Sequence, residues 1–199
     1  MCGRYFFAID QLPDFHILKK KIDQLALFEY AQEEVFPSNR ALVLLPDGND
    51  FTLGVMTWGI KGYHGNMLIN ARSETINQKK TFSSMRENRC LVPANGFYEW
   101  LKKDKKKQKI YIRKEGEPVM YLAGIYNEQN EFVIVTGESD EEMKAIHDRT
   151  PIIVKEDEIS SYLHRELDYQ VDNHHLTFTK EEKKQHHDQL GLFDEREEQ

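Results

Sequence analysis

The sequence predicts a single α+β domain with a mostly β centre, and three observations lead there. Its 199 residues suit one hydrophobic core rather than two. The stretch from residue 89 to 138 consists of short apolar runs separated by turn residues. Helical periodicity is confined to the flanks, in residues 11–34 and 139–147.

In "QLPDFHILKKKIDQLALFEYAQEE", Phe15, Leu18, Ile22 and Leu25 recur at helical spacing, which predicts one or two helices with these side chains in the core. Next, "EEVFPSNRALVLL" and "DFTLGVMTWGI" flank "PDGN", where Asp47 and Gly48 supply a hairpin turn. "RCLVPANGFYEWLKK" places Asn-Gly between two strand-like runs, and residues 108–138 add three β segments with turns at Glu115-Gly116 and at 127–130. The period changes in "SDEEMKAIHDRTP": Ser139 and Glu142 have capping-box spacing, acids fill the first turn, and Pro151 bars continuation. Met143, Ile146 and His147 then share one face, so His147 points towards the body. "PIIV" reads as a strand and "DEISSYL" as a short helix. The domain is expected over residues 1–178, followed by a flexible acidic tail over 179–199.

Composition narrows the function. No apolar run is long enough to cross a bilayer, and "YFFAI" before Asp10 is too short for a signal peptide, so a cytoplasmic protein with no membrane partner is expected. Cys2 and Cys90 are the only cysteines, too few for a disulfide framework, and both are expected as free thiols. Cys90, on an apolar strand, reads as core. The sequence has no internal repeat, no phosphate-cradling glycine loop and no metal-ligand spacing, and no cofactor is expected; His186 and His187 read as a solvated pair. A formal charge of −7 argues against non-specific nucleic-acid binding. Residues 181–199, however, hold seven acids against three bases, leaving −4 there and −3 elsewhere. A local basic groove is compatible with that balance.

The start of the chain, "MCGRY", has its own chemical interest. Once the initiator methionine is removed, by a housekeeping aminopeptidase or by the protein itself, Cys2 carries an α-amine and a thiol on neighbouring carbons. Such a 1,2-aminothiol does chemistry unavailable to an internal cysteine.

Four separated stretches converge with that start: "MCGRY", "INARSET" at 69–75, "RCLVPANGFYEW" at 89–100 and "IHDRTP" at 146–151. In this order they closely resemble the SOS response-associated peptidase family, whose members shield abasic sites in single-stranded DNA. "VFPSN" and "MTWGI" are less specific landmarks, and the resemblance spans roughly residues 1–175. It implies a strongly bent, barrel-like, mostly antiparallel sheet flanked by helices, around a basic DNA groove. The family's active centre falls on Cys2, Asn70, Glu99 and His147, and its phosphate-contacting arginines on Arg4, Arg72 and Arg149. The resemblance thus implies three convergent guanidiniums as a local anion site. Pro37, Trp58 and Trp100 would present apolar surface to unstacked bases, although core packing is an equal reading for either tryptophan. "KKDKKKQK" at 102–109 reads as a solvated loop. Thr150 replaces the family's usual methionine, and "WGIKGYHGN" lacks a Pro-Trp that often follows.

The expected chemistry is a covalent, protective link to an abasic site in the DNA damage response: imine formation by the Cys2 amine, then closure of a thiazolidine by its thiol. Glu99 would carry protons, Asn70 would orient the amine or sugar, and His147 would serve as acid/base in ring opening. The alternative is a cysteine (auto)peptidase with Cys2 as nucleophile and His147 as base. A non-covalent reader of damaged DNA is a third class, and strand cleavage through the imine is a side activity compatible with the first. Finally, "QLGLF" at 189–193 is similar to the pentapeptide with which many bacterial proteins dock on the replicative sliding clamp. Gln189, Leu190, Leu192 and Phe193 are its recognition residues; packing of this turn on its own domain is the other reading.

Overall fold

The computed structural model describes residues 2–24, 29–62, 65–103, 106–169 and 175–181. Its centre is a ring of strands made from the most continuously apolar segments. These are β3 (Arg40–Asp47), β4 (Asp50–Trp58), β8 (Arg89–Ala94), β11 (Met120–Tyr126) and β12 (Glu131–Glu138). Every residue of β8 is buried, as are Met120 to Ile125 and Phe132 to Gly137, the pattern of strands covered on both faces. β4 pairs with β3, β3 with β8, β8 with β11 and β11 with β12, all antiparallel, and a parallel pairing of β12 with β4 closes the circuit. The barrel-like, mostly antiparallel architecture expected from the sequence is present.

β12 has more neighbours than its length suggests. Along one edge it pairs first with β4 and then, in parallel, with β7 (Asn70–Arg72). Along the other it pairs with β11 and then with β13 (Arg149–Pro151). Against the ring stands a second, antiparallel sheet in the order β15 (Leu176–Lys180), β10 (Lys106–Lys114), β9 (Gly96–Lys103), β1 (Tyr5–Phe7), β2 (Glu33–Val35). Short helices flank the two sheets: α1 (Ile17–Gln24), α2 (Lys80–Ser83), α3 (Glu141–Lys144) and α4 (Ile159–Leu163).

Several local expectations hold. β3 and β4 form the predicted hairpin, with Asp47 opposite Asp50 and Gly48 at φ 56°. Gly116 and Asn130 take positive φ in the two later turns. Others are corrected. Phe15 is not core: it is 78% exposed, because α1 begins only at Ile17 and the buried stripe is Leu18 and Ile22. Leu25 lies outside the described residues. The cap of α3 is Asp140, not Ser139; its carboxylate accepts the Met143 N–H at 2.8 Å.

Asn95-Gly96 is a joint between the sheets rather than a hairpin turn. β8 ends in the ring, and β9 starts at once in the outer sheet. Buried Asn95 fixes the joint: its Oδ1 accepts the Ala8 N–H and its Nδ2 donates to the Pro118 carbonyl, each at 2.7 Å. Gly96 lies under the Tyr111 ring, where an added Cβ would come within 2.4 Å of ring atoms.

No helix among the described residues is long and apolar enough to cross a membrane. The tail residues Gln189, Leu190, Leu192 and Phe193, with His186 and His187, lie outside the described residues.

Gly96→Ala should lower unfolding free energy by about 1–3 kcal/mol, the usual cost of overpacking a filled site. Denaturant melts check this, and a variant as stable as the parent would show that Tyr111 moves aside at no cost.

Candidate functional site

β1 lies between β9 and β2, with Tyr5 opposite Phe97 on one side and Val35 on the other. The Arg4 carbonyl extends this pairing by accepting the Tyr98 N–H at 2.9 Å. The chain ahead of β1 is thereby aimed at the ring, and Cys2 is fully buried. There the Asn70 side chain donates from Nδ2 to the Cys2 carbonyl at 2.8 Å. Asn70 opens β7 and is held by the register with Ile134 of β12. This bond joins the two sheets at the thiol-bearing residue. Asn70 Oδ1 is buried and accepts no hydrogen bond among the described residues, so an acceptor faces inward beside Cys2.

Alternation along β9 places Phe97 and Glu99 on the inner face, and Glu99 is only 2% exposed. Burial pushes the Cys2 thiol well above its ordinary range, and the nearby Glu99 carboxylate pushes it further. The Sγ atom lies 3.7 Å from the Arg4 carbonyl oxygen. Cys2 and Glu99 are thus buried side by side, and half-buried Asn70 is hydrogen-bonded to the Cys2 backbone.

His147 approaches from beyond α3, its N–H bonded to the Met143 carbonyl at 2.9 Å. Its side chain is 31% exposed. Nδ1 stands 3.0 Å from the Arg149 N–H and 2.8 Å from an Asp148 carboxylate oxygen. The first contact needs a lone pair on Nδ1 and the second needs a proton there, so the two serve different protonation states.

The three arginines Arg4, Arg72 and Arg149 differ in exposure and in partners. Arg149 is 6% exposed and already committed: Nη1 and Nη2 meet the two Glu74 carboxylate oxygens at 2.7 and 2.8 Å, and Nη2 also donates to the Thr136 carbonyl at 2.8 Å. These Arg149 hydrogen bonds hold the Glu74 carboxyl below its usual range. Arg4 donates to Glu34 at 3.1 Å, and its guanidinium lies 4.2 Å from the Phe36 ring centre and 5.2 Å from that of Trp100. Burial would raise Glu34, but its bonds to Lys109 and Arg4 outweigh that and hold it low. Arg72 is exposed and makes no ion pair among the described residues. Proximity in sequence to the reactive residues could not reveal these carboxylate partners.

The two tryptophans separate. Trp58 is fully buried, lies parallel to Phe132 with centres 6.4 Å apart, and donates to the Ile69 carbonyl at 3.0 Å. It offers no face to a base; it packs the ring and steadies the residue before Asn70. Trp100 is half-buried beside Arg4, with Pro37 also half-buried and Phe36 39% exposed. Phe36 was missed, although its place between Val35 and Pro37 in "VFPSN" was the available signal.

A cleft of about 790 Å³ is lined by residues such as His16, Lys114 and Glu156, and one of about 400 Å³ by Asn95, Tyr98 and Tyr111; neither is lined by Cys2, Asn70, Glu99 or His147. Among the described residues no three metal-ligating side chains converge.

Both thiols should resist a thiol-specific reagent in the native protein at mildly alkaline pH and react fully in denaturant; rapid native labelling of either would contradict the burial. Burial raises Cys2 and Cys90 above the ordinary 9.0, and Tyr5 and Tyr162 above 10.0. Above about pH 9 the unfolded chain therefore loses protons that the folded chain keeps, and stability should fall as pH rises. Urea midpoints on the two sides of that value test the sign.

Residues 1–189 match the family model described as SOS response associated peptidase. The chain is 33% identical over 183 residues to abasic site processing protein YoaM of Bacillus subtilis (strain 168), covering 82% of this chain and 79% of that one. It is likewise 33% identical over 181 residues to abasic site processing protein YoqW of Bacillus phage SPbeta, covering 82% and 80%. The crystal structure of a protein from Bacteroides thetaiotaomicron has the same fold, with a TM-score of 0.68 at 20% identity over 90% of this chain and 91% of that one.

Proposed function

Since the chain belongs to the SOS response associated peptidase family, we propose that it processes abasic sites in DNA by joining them covalently to Cys2. The observation that carries this reading is buried Cys2 beside buried Glu99, with the Cys2 backbone held by the half-buried Asn70 side chain.

An abasic site opens to an aldehyde at the sugar C1′. After loss of Met1, the Cys2 amine has an ordinary pKa of about 8 and is mostly protonated near neutrality. Glu99 is the acceptor for that proton. The free amine adds to C1′, forming the C–N bond and a carbinolamine, and Glu99 returns a proton as the hydroxyl leaves as water. Sγ then adds to the imine carbon, and its proton passes to nitrogen, which completes a five-membered thiazolidine. The net change is aldehyde plus aminothiol less one water. Burial keeps the Sγ proton in place until the imine can receive it. Asn70 Oδ1, the unused inward acceptor, orients the amine, and Asn70 Nδ2 holds the adjoining carbonyl. His147 assists opening of the deoxyribose ring, with Arg149 N–H and Asp148 as partners for its two forms.

Arg72 supplies the exposed cation for the backbone of a single strand, and Arg4 adds to it from its place between Phe36 and Trp100. With Pro37, these rings offer an apolar ledge for unstacked bases. Arg149 adds positive charge from behind, offset by Glu74. The peptidase reading fits this site less well. A nucleophilic peptidase cysteine has its thiol lowered by an imidazole, whereas Cys2 is raised and its Sγ faces the Arg4 carbonyl. In the tail, Gln189, Leu190, Leu192 and Phe193 are proposed to dock on the replicative sliding clamp, bringing the domain to exposed single strands. Deleting residues 188–199 should abolish clamp binding, and undiminished binding would refute that role.

Intact-mass spectrometry with a single-stranded oligonucleotide carrying one abasic site should give protein lacking Met1, then an adduct of protein plus oligonucleotide less one water. Cys2→Ser should leave no stable adduct; an undiminished yield would remove Cys2 from the chemistry. Glu99→Gln should slow adduct formation by about 10²–10⁴-fold, the usual contribution of a positioned proton carrier.

A further inference from the structure

We propose that Glu74 is a positioning residue that fixes the tautomer of His147. This inference rests on the abasic-site reading for its consequence in the reaction but not for its geometry.

β7 and β13 lie on opposite edges of β12, and Thr136 has both as neighbours, with Arg72 and Pro151 as register partners. A 3-10 turn over Ser73–Thr75 follows β7 and carries Glu74 to the β13 side. There the two carboxylate oxygens grip Arg149 at 2.7 and 2.8 Å, while the Thr136 carbonyl takes a further bond at 2.8 Å and Thr136 Oγ1 donates to the Ala71 carbonyl at 3.4 Å. The result is a strap across β12. It ties the segment that bears Asn70 to the segment that bears His147.

The strap reaches the imidazole through the backbone. Arg149 N–H donates to His147 Nδ1 at 3.0 Å, which occupies the Nδ1 lone pair and leaves the ring proton on Nε2. Asp148, 81% exposed, competes for the same nitrogen at 2.8 Å but only when Nδ1 carries the proton. The two bonds exclude one another, so whatever fixes Arg149 selects the tautomer. The guanidinium is 6% exposed, and Glu74 is the carboxylate paired with it among the described residues. Without Glu74 a buried cation loses its counter-charge and is driven outward, carrying its backbone N–H with it. Nδ1 is then left to Asp148, and the proton sits on the wrong nitrogen.

The strap joins "INARSET" to "IHDRTP": one supplies Glu74 and the other the Arg149 that Glu74 holds. It also separates Glu74 from a DNA contact, because its carboxylate faces the protein's own arginine.

Glu74→Gln should lower the first-order rate constant for adduct formation at saturating abasic oligonucleotide at least tenfold, with the dissociation constant for the same strand changed less than twofold. Glu74→Asp, which keeps the charge on a shorter arm, should fall between. In ¹⁵N spectra of the imidazole, the parent should show an unprotonated Nδ1, and Glu74→Gln should shift population to the Nδ1–H form. An unchanged spectrum, an unchanged rate, or a loss of affinity equal to the loss of rate would overturn the proposal. If the parent forms no adduct at all, the abasic-site reading fails, and the spectra alone still decide the role of Glu74.

Discussion

Backbone hydrogen bonding along both edges of one strand underlies the rest of this structure. β12 closes the ring by pairing with β4 and β11 over its first half, then spends its second half on β7 and β13. A buried strand must satisfy every N–H and C=O, and the short segments that carry Asn70 and Arg149 supply partners to the second half of β12. Neither segment is long enough to hold its place alone. Asn70 and Arg149 thus stand on three-residue strands that borrow their rigidity from an apolar barrel strand.

Charge is arranged by the same economy. Arg149 and Arg4 each pair with a carboxylate, Glu74 for Arg149 and Glu34, which Lys109 shares, for Arg4. A chain of net charge −7 does not need a broad basic face if its cations are few, oriented and locally countered. Orientation comes from aromatic contact as well as ion pairing, since the Arg4 guanidinium is set between Phe36 and Trp100. Of the three arginines beside the family motifs, Arg72 is the exposed one.

Much of the fold was legible because local rules and tertiary structure agree. The Asp47-Gly48 turn, the apolar runs of β8, β11 and β12, and the short helix at "DEISSYL" each follow from pattern and turn chemistry. What pattern could not reach was partnership. Phe15 has the helical spacing of Leu18 and Ile22 but falls two residues before the helix begins. Asn95-Gly96 has the composition of a hairpin turn, yet Ala8 and Pro118 claim the asparagine side chain and Tyr111 claims the space above the glycine. At the site, motif resemblance picked out Cys2, Asn70 and Glu99, and the structure gathers them. Arg149 looked like a free cation because its partner, Glu74, is 75 residues away in sequence.

The pairing of β1 with β9 bears on when the site comes into being. Tyr5 meets Phe97, Arg4 meets Tyr98, and Cys2 meets Asn70, so the first residues of the chain have no place to dock until about a hundred residues have been made. At synthesis rates of about 5–20 residues per second, that interval is on the order of ten seconds. Throughout it the segment ahead of β1 lacks its partners, and only afterwards can Cys2 become buried. Assembly around Cys2 is thereby scheduled by topology: β1 is made early, and its partner strand comes only with β9.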